Sequence, residues 1–207
     1  MLSQSKEDDK VIIAYSGHGL LSKTYDYYLS TYQTHFNQPE QNGLRYEELE
    51  NLCDGIKSRK KLMLIDACHS GELDKEELRK IASQQADLQK SNSVKTYSKG
   101  AGVQVVQKDG LGMKNSFELM QELFVNTGRS TGTSVIAAAA GTQFALERGD
   151  LKNGVFTYCV LETMSNRATI KISELKKIIG NRVEQLTNGL QKPTSRNEVV
   201  GIDWNVW

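Results

Sequence analysis

Three short apolar runs punctuate the chain: Lys10-Val11-Ile12-Ile13-Ala14-Tyr15, Lys61-Leu62-Met63-Leu64-Ile65-Asp66, and Thr133-Ser134-Val135-Ile136-Ala137-Ala138-Ala139-Ala140. None alternates polar with apolar positions, so each reads as a strand covered on both faces. Ser16-Gly17 closes the first run and Gly141 the third, which predicts turns at those points. Between the strands the period changes. Tyr46, Leu49, Leu52, Cys53 and Ile56 recur at three- and four-residue steps, as do Phe117, Met120, Leu123 and Phe124, the spacing of a helix with one apolar face. Residues 155–164 and 173–186 continue the alternation, the latter with Ser173 as N-cap and Leu175, Ile178, Ile179, Val183 and Leu186 on one face. Short strands are expected over 169–172 and 198–207. Strand and helix in repeated order predict an α/β sandwich with a mostly parallel central sheet flanked by helices. Its ligand site belongs off the carboxyl ends of the strands, after Tyr15, Asp66 and Ala140. Two segments are less regular: residues 25–42, which begin with a small hairpin, and residues 89–115, rich in Ser, Gly and Lys and long enough to be a flexible or cleavable linker.

Length and charge narrow the function classes. The chain of 207 residues is the size of one domain, and Lys+Arg 26 against Asp+Glu 25 leaves a formal charge of +1. That balance gives no field to gather phosphates, which argues against nucleic acid or an anionic membrane as a partner. No run of about 18 apolar residues is present, and Met1 to Lys10 lack the basic-then-apolar pattern of a leader. Three cysteines, Cys53, Cys68 and Cys159, are an odd number in a chain able to build a core, so a cytoplasmic, reducing setting with at least one free thiol is expected.

The chemistry concentrates where two strands end. The first leads into Ser16-Gly17-His18-Gly19 and the second into Asp66-Ala67-Cys68-His69-Ser70-Gly71. A thiol becomes a nucleophile when an imidazole takes its proton, and neighbouring parallel strands bring His18 and Cys68 together across 50 residues. Gly17 and Gly19 let the backbone approach a substrate, and the N–H groups of Cys68 and Gly19 are the candidate oxyanion donors. His69 points to the opposite side of the strand from Cys68 and is read as a packing residue. Cys53 and Cys159 fall on helices and are read as core, and His35 as a solvated loop residue. Zinc ligation by Cys53, Cys68, His18 and His69 lacks the paired spacing of such sites, so no metal is expected.

These two motifs, each after an apolar strand, resemble the caspase and metacaspase peptidases, most closely the bacterial caspase-like domains. A histidine about 50 residues upstream of the cysteine is a recorded trait of caspases. The resemblance continues through Val135 to Glu147, Gly154 to Tyr158 and Gln191 to Arg196. It implies a three-layer caspase-like sandwich, His18 as general base and acid, Cys68 as nucleophile, and an acyl-enzyme released by water. It further implies that a peptide substrate pairs as an extended strand near Ala139 to Phe144, with Ala139, Gly141, Gln143 and Phe144 in contact. Some relatives are calcium-activated, and Asp8-Asp9, Glu47-Glu48 and Glu76-Glu77 are read either as calcium ligands or as plain surface. The linker region is where such proteins are commonly cut, which makes Lys90, Lys95, Lys99, Lys108, Lys114 and Arg129 candidate self-cleavage points.

Departures from the pattern sharpen the expectation. Enzymes of this kind that cut after aspartate typically have Gln two residues before the cysteine, where this chain has Asp66. Strand alternation puts Asp66 on the side of Cys68, and a carboxylate in the primary pocket favours Arg or Lys before the scissile bond. The family's fold also begins with a strand and helix ahead of the strand that ends in His18, and too few residues precede Val11 to make them. A partner chain or an amino-terminal segment is therefore expected to cover Val11 to Tyr15 and complete the sheet. The reading is a regulated bacterial effector protease of a defence system, with a catalytically silent scaffold that binds a partner as the alternative.

Overall fold

Lys10–Leu21 form β1, which turns back into the short strand β2, Tyr27–Leu29, and then β3, Leu44–Arg45. Helix α1, Tyr46–Asp54, leads to β4, Lys60–Ser70, and β5, Thr96–Ser98, precedes β6, Thr133–Ala137. The remaining elements are β7, Leu146–Arg148; β8, Asn153–Gly154; α2, Val155–Asn166; α3, Ile172–Leu186; and β9, Thr194–Asn197. The structure is a computed structural model, and it describes residues 2–24, 26–70, 96–98, 132–139, 145–198 and 203–207. The helix expected around 117–124 lies outside the described residues.

Six strands form the main sheet in the order β3-β2-β1-β4-β6-β9. Its centre is parallel: β1 pairs with β4 from Lys10↔Lys60 to Leu20↔Ser70, and β4 with β6 from Lys61↔Thr133 to Ile65↔Ala137. β2, β3 and β9 add antiparallel margins. Alternation along β4 then explains two cores. Met63, Ile65 and Ala67 pack with Tyr46 and Cys53 of α1 on one face. Leu62 and Leu64 pack under α2 and α3 on the other, with Leu175, Ile179 and Val183 buried as their spacing predicts. The fold is thus mixed α/β in three layers, with three helices among the described residues.

Among the described residues no helix has a side-chain hydrogen bond at its N-cap, and neighbouring elements bind exposed backbone groups instead. Lys61, 1% exposed, sends its ammonium from β4 to the carbonyls of Cys53 and Ile56 at the end of α1, 2.9 and 3.2 Å away. Burial holds the Lys61 pKa below its ordinary value. At α3 the expected cap is corrected: Lys171 occupies the cap position, and Ser173 lies inside the helix. The Ser173 amide and hydroxyl donate to the Asp203 carboxylate at 3.0 and 2.8 Å, which lowers the Asp203 pKa, chiefly through the amide.

Two further expectations are corrected. β1 runs through Ser16-Gly17 to Leu21 rather than turning, because pairing with β4 carries on past the apolar stretch. The closing strand is β9 at Thr194–Asn197, while Lys171 and Asn205 form only an isolated bridge. Of the segment read as a linker, only Thr96–Ser98 are among the described residues; they form β5, which pairs with β7 in a second sheet of order β5-β7-β8. The lysines proposed as self-cleavage points and Arg129 lie outside the described residues.

Candidate active site

The β1–β4 register makes His18 and Cys68 direct partners, and Ser16 and Asp66 partners one step below. Adjacent strands lie about 4.8 Å apart, so one rung of the ladder carries both the imidazole-bearing and the thiol-bearing residue. Gly19 lies inside the sheet as well, between Leu29 of β2 and His69 of β4, and not in the expected turn.

The backbone of His18 is clamped by two side chains that periodicity did not single out. The His18 amide donates to Ser30 Oγ at 3.2 Å, and the Ser30 amide donates to the His18 carbonyl at 2.8 Å. Tyr15 Oη lies 2.9 Å from the His18 carbonyl, 3.0 Å from the Ser30 carbonyl and 3.1 Å from Ser30 Oγ. The single phenol proton is shared among these acceptors, and either hydroxyl of the Tyr15–Ser30 pair can be the donor between them. Burial raises the Tyr15 pKa and keeps that proton in place. Gly17 leaves room for that phenol: a Cβ there would sit 2.4 Å from Tyr15 Oη, so the ring would have to shift.

The imidazole itself is held differently. Its Nδ1 is buried with no hydrogen-bond partner among the described residues, and the Phe36 ring meets it edge-on at a centroid distance of 5.3 Å. Thus the clamp acts on the main chain of residue 18 and the aromatic contact on its ring. No third polar side chain orients the imidazole within the described residues.

Asp66 is 1% exposed, and its Oδ2 accepts the Thr157 amide at 3.2 Å and the Thr157 hydroxyl at 2.5 Å. Thr157 is in the first turn of α2, where Gly154 offers no cap, so the carboxylate takes an orphan N–H at the positive end of the helix. Just past the end of β6, Ala139 is 3% exposed, while Gly141, Gln143 and Phe144 lie outside the described residues. The fully buried Gln191 closes the base of that segment: its amide donates to the Ala138 carbonyl at 2.9 Å and accepts from the Leu146 amide at 2.8 Å.

The other two cysteines are unsuited to nucleophilic work. Burial pushes the Cys53 thiol up to about 11 and the Cys159 thiol up to about 12, and a protonated thiol is a poor nucleophile. His35 is exposed, as expected of a loop residue. Of the acidic pairs considered for calcium, Asp8 bridges Lys60 at 2.9 Å and Glu47 bridges Arg45 at 3.2 Å, and Glu76-Glu77 lies outside the described residues. Among the described residues no group of three or more His, Cys, Asp or Glu is placed to hold a metal ion.

The peptidase family described as "Caspase domain" matches residues 1–199. The chain belongs to the caspase-domain peptidase family. Comparison with curated proteins gives no match. A crystal structure of a protein from Geobacter sulfurreducens is similar at TM-score 0.52 and 16% identity, over 95% of this chain and 68% of that one, which speaks to fold alone. Within this caspase domain, the ladder brings the positions of His18, Cys68 and Asp66 together at the carboxyl ends of β1 and β4. Sequence reading missed Tyr15, Ser30, Phe36, Thr157 and Gln191 as parts of the site. Only Tyr15 left a signal, as the bulky residue two before a glycine on the same side of a strand.

Proposed function

We propose that this caspase domain is a cysteine endopeptidase in which His18 takes the proton of Cys68 and the thiolate attacks a peptide carbonyl. The observation that carries the reading is the register pairing His18 with Cys68 on adjacent parallel strands. Supporting it, the other two thiols are held protonated by burial. The test is cleavage of a peptide library by the wild type against Cys68→Ala: cleavage lost in the variant supports the reading, and equal cleavage by both refutes it.

Specificity for Arg or Lys before the scissile bond is assigned to Asp66. Its two bonds from Thr157 fix the carboxylate in one orientation, as a pocket acid that pairs with a guanidinium requires. Asp66→Asn is expected to lower kcat/KM on Arg peptides at least about tenfold more than on uncharged ones, since a charge-assisted pair is roughly twice as strong as a neutral one. Equal loss on both would leave Asp66 as the α2 cap alone.

We also assign an extended strand of a partner chain to the outer edge of β1, as the regulatory contact of an effector protease. β2 pairs with β1 only from Gly19 to Leu21, and Ile12 is 48% exposed although its ladder partner Leu62 is fully buried. The bonds Ser30 N–H to His18 O and Ser22 N–H to Asp26 O aim even-numbered positions of β1 away from β4. The Ile12 and Ala14 amides of the isolated chain should therefore exchange with solvent at least about a hundredfold faster than those of Met63 and Leu64. Protection at both would mean the edge is already covered.

A further inference from the structure

Phe36 belongs to neither apolar core cluster. It is 42% exposed, and Tyr32 on the same loop is 103% exposed. Single exposed rings are ordinary on a protein surface, but Phe36 differs in lying against the His18 imidazole, at a centroid distance of 5.3 Å. The loop is also not a slack tip. Thr31 donates its amide to Thr34 Oγ1 at 2.6 Å, the hydroxyls of Thr31 and Thr34 both donate to the Asn42 carbonyl at 2.7 and 3.0 Å, and the Gly43 amide donates to the Pro39 carbonyl at 3.0 Å. Phe36 is thereby presented at a fixed place, with its ring against His18.

The chemistry of the proposed peptidase says what passes that place. The thiol proton moves to the imidazole, and the sulfur–carbon bond forms. The carbon–nitrogen bond then breaks as the imidazolium gives its proton to the leaving nitrogen. Water later cleaves the thioester, yielding the acid and restoring the thiol. The leaving amine is thus the atom that must come within hydrogen-bond reach of His18, and the residue bearing that amine follows the scissile bond. A ring in contact with the imidazole is accordingly a neighbour of that residue's side chain.

We infer that Phe36 walls a subsite on the leaving-group side of the dyad and selects an apolar side chain immediately after the scissile bond. The inference rests on the His18–Cys68 reading. It is distinct from the Asp66 pocket, which concerns the residue before the bond.

The test digests a proteome-derived peptide library with wild type, Phe36→Ala, Phe36→Leu and Cys68→Ala proteins, and reads the new amino termini. Wild type should favour Leu, Ile, Met or Phe as the new first residue about tenfold over Gly or Ser, the discrimination an apolar pocket offers. Phe36→Ala should lose that preference while the residue before the bond is unchanged, and Phe36→Leu should retain it. A wild-type profile without apolar enrichment overturns the inference while leaving the peptidase standing, as does a Phe36→Ala protein that is slower on all sequences alike with an unchanged profile. Cleavage that persists in Cys68→Ala, or is absent in the wild type, overturns the peptidase reading itself and this inference with it.

Discussion

His18→Ala is expected to lower peptide cleavage by about 10³-fold or more, within the range that general acid–base catalysis contributes, with the thermal midpoint kept within about 3 °C. The separation of the two effects follows from how residue 18 is held. Tyr15 and Ser30 grip its amide and carbonyl, which alanine keeps, and the deleted ring has no hydrogen bond at Nδ1 among the described residues to lose. Tyr15→Phe should have a smaller effect on the same step. It removes the phenol that joins the His18 and Ser30 carbonyls, so kcat should fall about tenfold with KM little changed, as for a residue that positions the base without touching substrate. Initial rates across substrate concentrations, with thermal melts of the same preparations, check both. Activity retained by His18→Ala would remove the imidazole from the mechanism.

The largest effect on stability is expected at Arg196. Its guanidinium lies 2.6 Å from Glu50 and 3.6 Å from Glu198, with side chains 6%, 7% and 2% exposed. Arg196 stands on β9 and Glu50 on α1, so the pair ties the sheet margin to the helix layer. Arg196→Met should cost about 3–5 kcal/mol, because it strips a cation from two buried carboxylates. Arg196→Met combined with Glu50→Leu should recover part of that loss, since replacing a whole buried pair by apolar groups is nearly neutral. Denaturant titration measures both; a loss under about 1 kcal/mol for the single change would mean water reaches the carboxylates. β9 is separated from β1 by β4 and β6, so folded Arg196→Met protein should still react at Cys68.

Much of this arrangement was legible because it is repetitive. The apolar runs predict β1, β4 and β6, although β1 is not covered on both faces, with Ile12, Ala14 and Ser16 exposed; the three-and-four spacing predicts α1 and the inner face of α3, and two short motifs point to the residues that the ladder pairs. What the pattern missed is side chain to backbone bonding over long separations. Gly17 was read as freedom for a turn, whereas it makes room for Tyr15 within a continuing strand. Ser173 has the chemistry of a cap, yet Asp203, 30 residues on, accepts its amide. The place of Asp66 two residues before Cys68 marks it as a pocket acid, whereas its bonds to Thr157 span 91 residues. Gln191 reaches Ala138 across 53 residues and Leu146 across 45. Local propensity carries no signal of such contacts, because they exist only once the sheet has fixed which distant segments are neighbours.

Whether His18 and Cys68 form a working dyad is read from intact mass after treatment of the native protein with Arg-directed and Asp-directed peptidyl electrophiles. Wild type, Cys68→Ala and His18→Ala proteins are compared, and the modified residue is mapped. One adduct is expected from the Arg reagent, on Cys68, absent in Cys68→Ala and strongly slowed in His18→Ala. An adduct from the Asp reagent alone would keep the dyad and overturn the role given to Asp66. Labelling of Cys53 or Cys159 in place of Cys68, or no labelling of native protein by either reagent, would contradict the dyad.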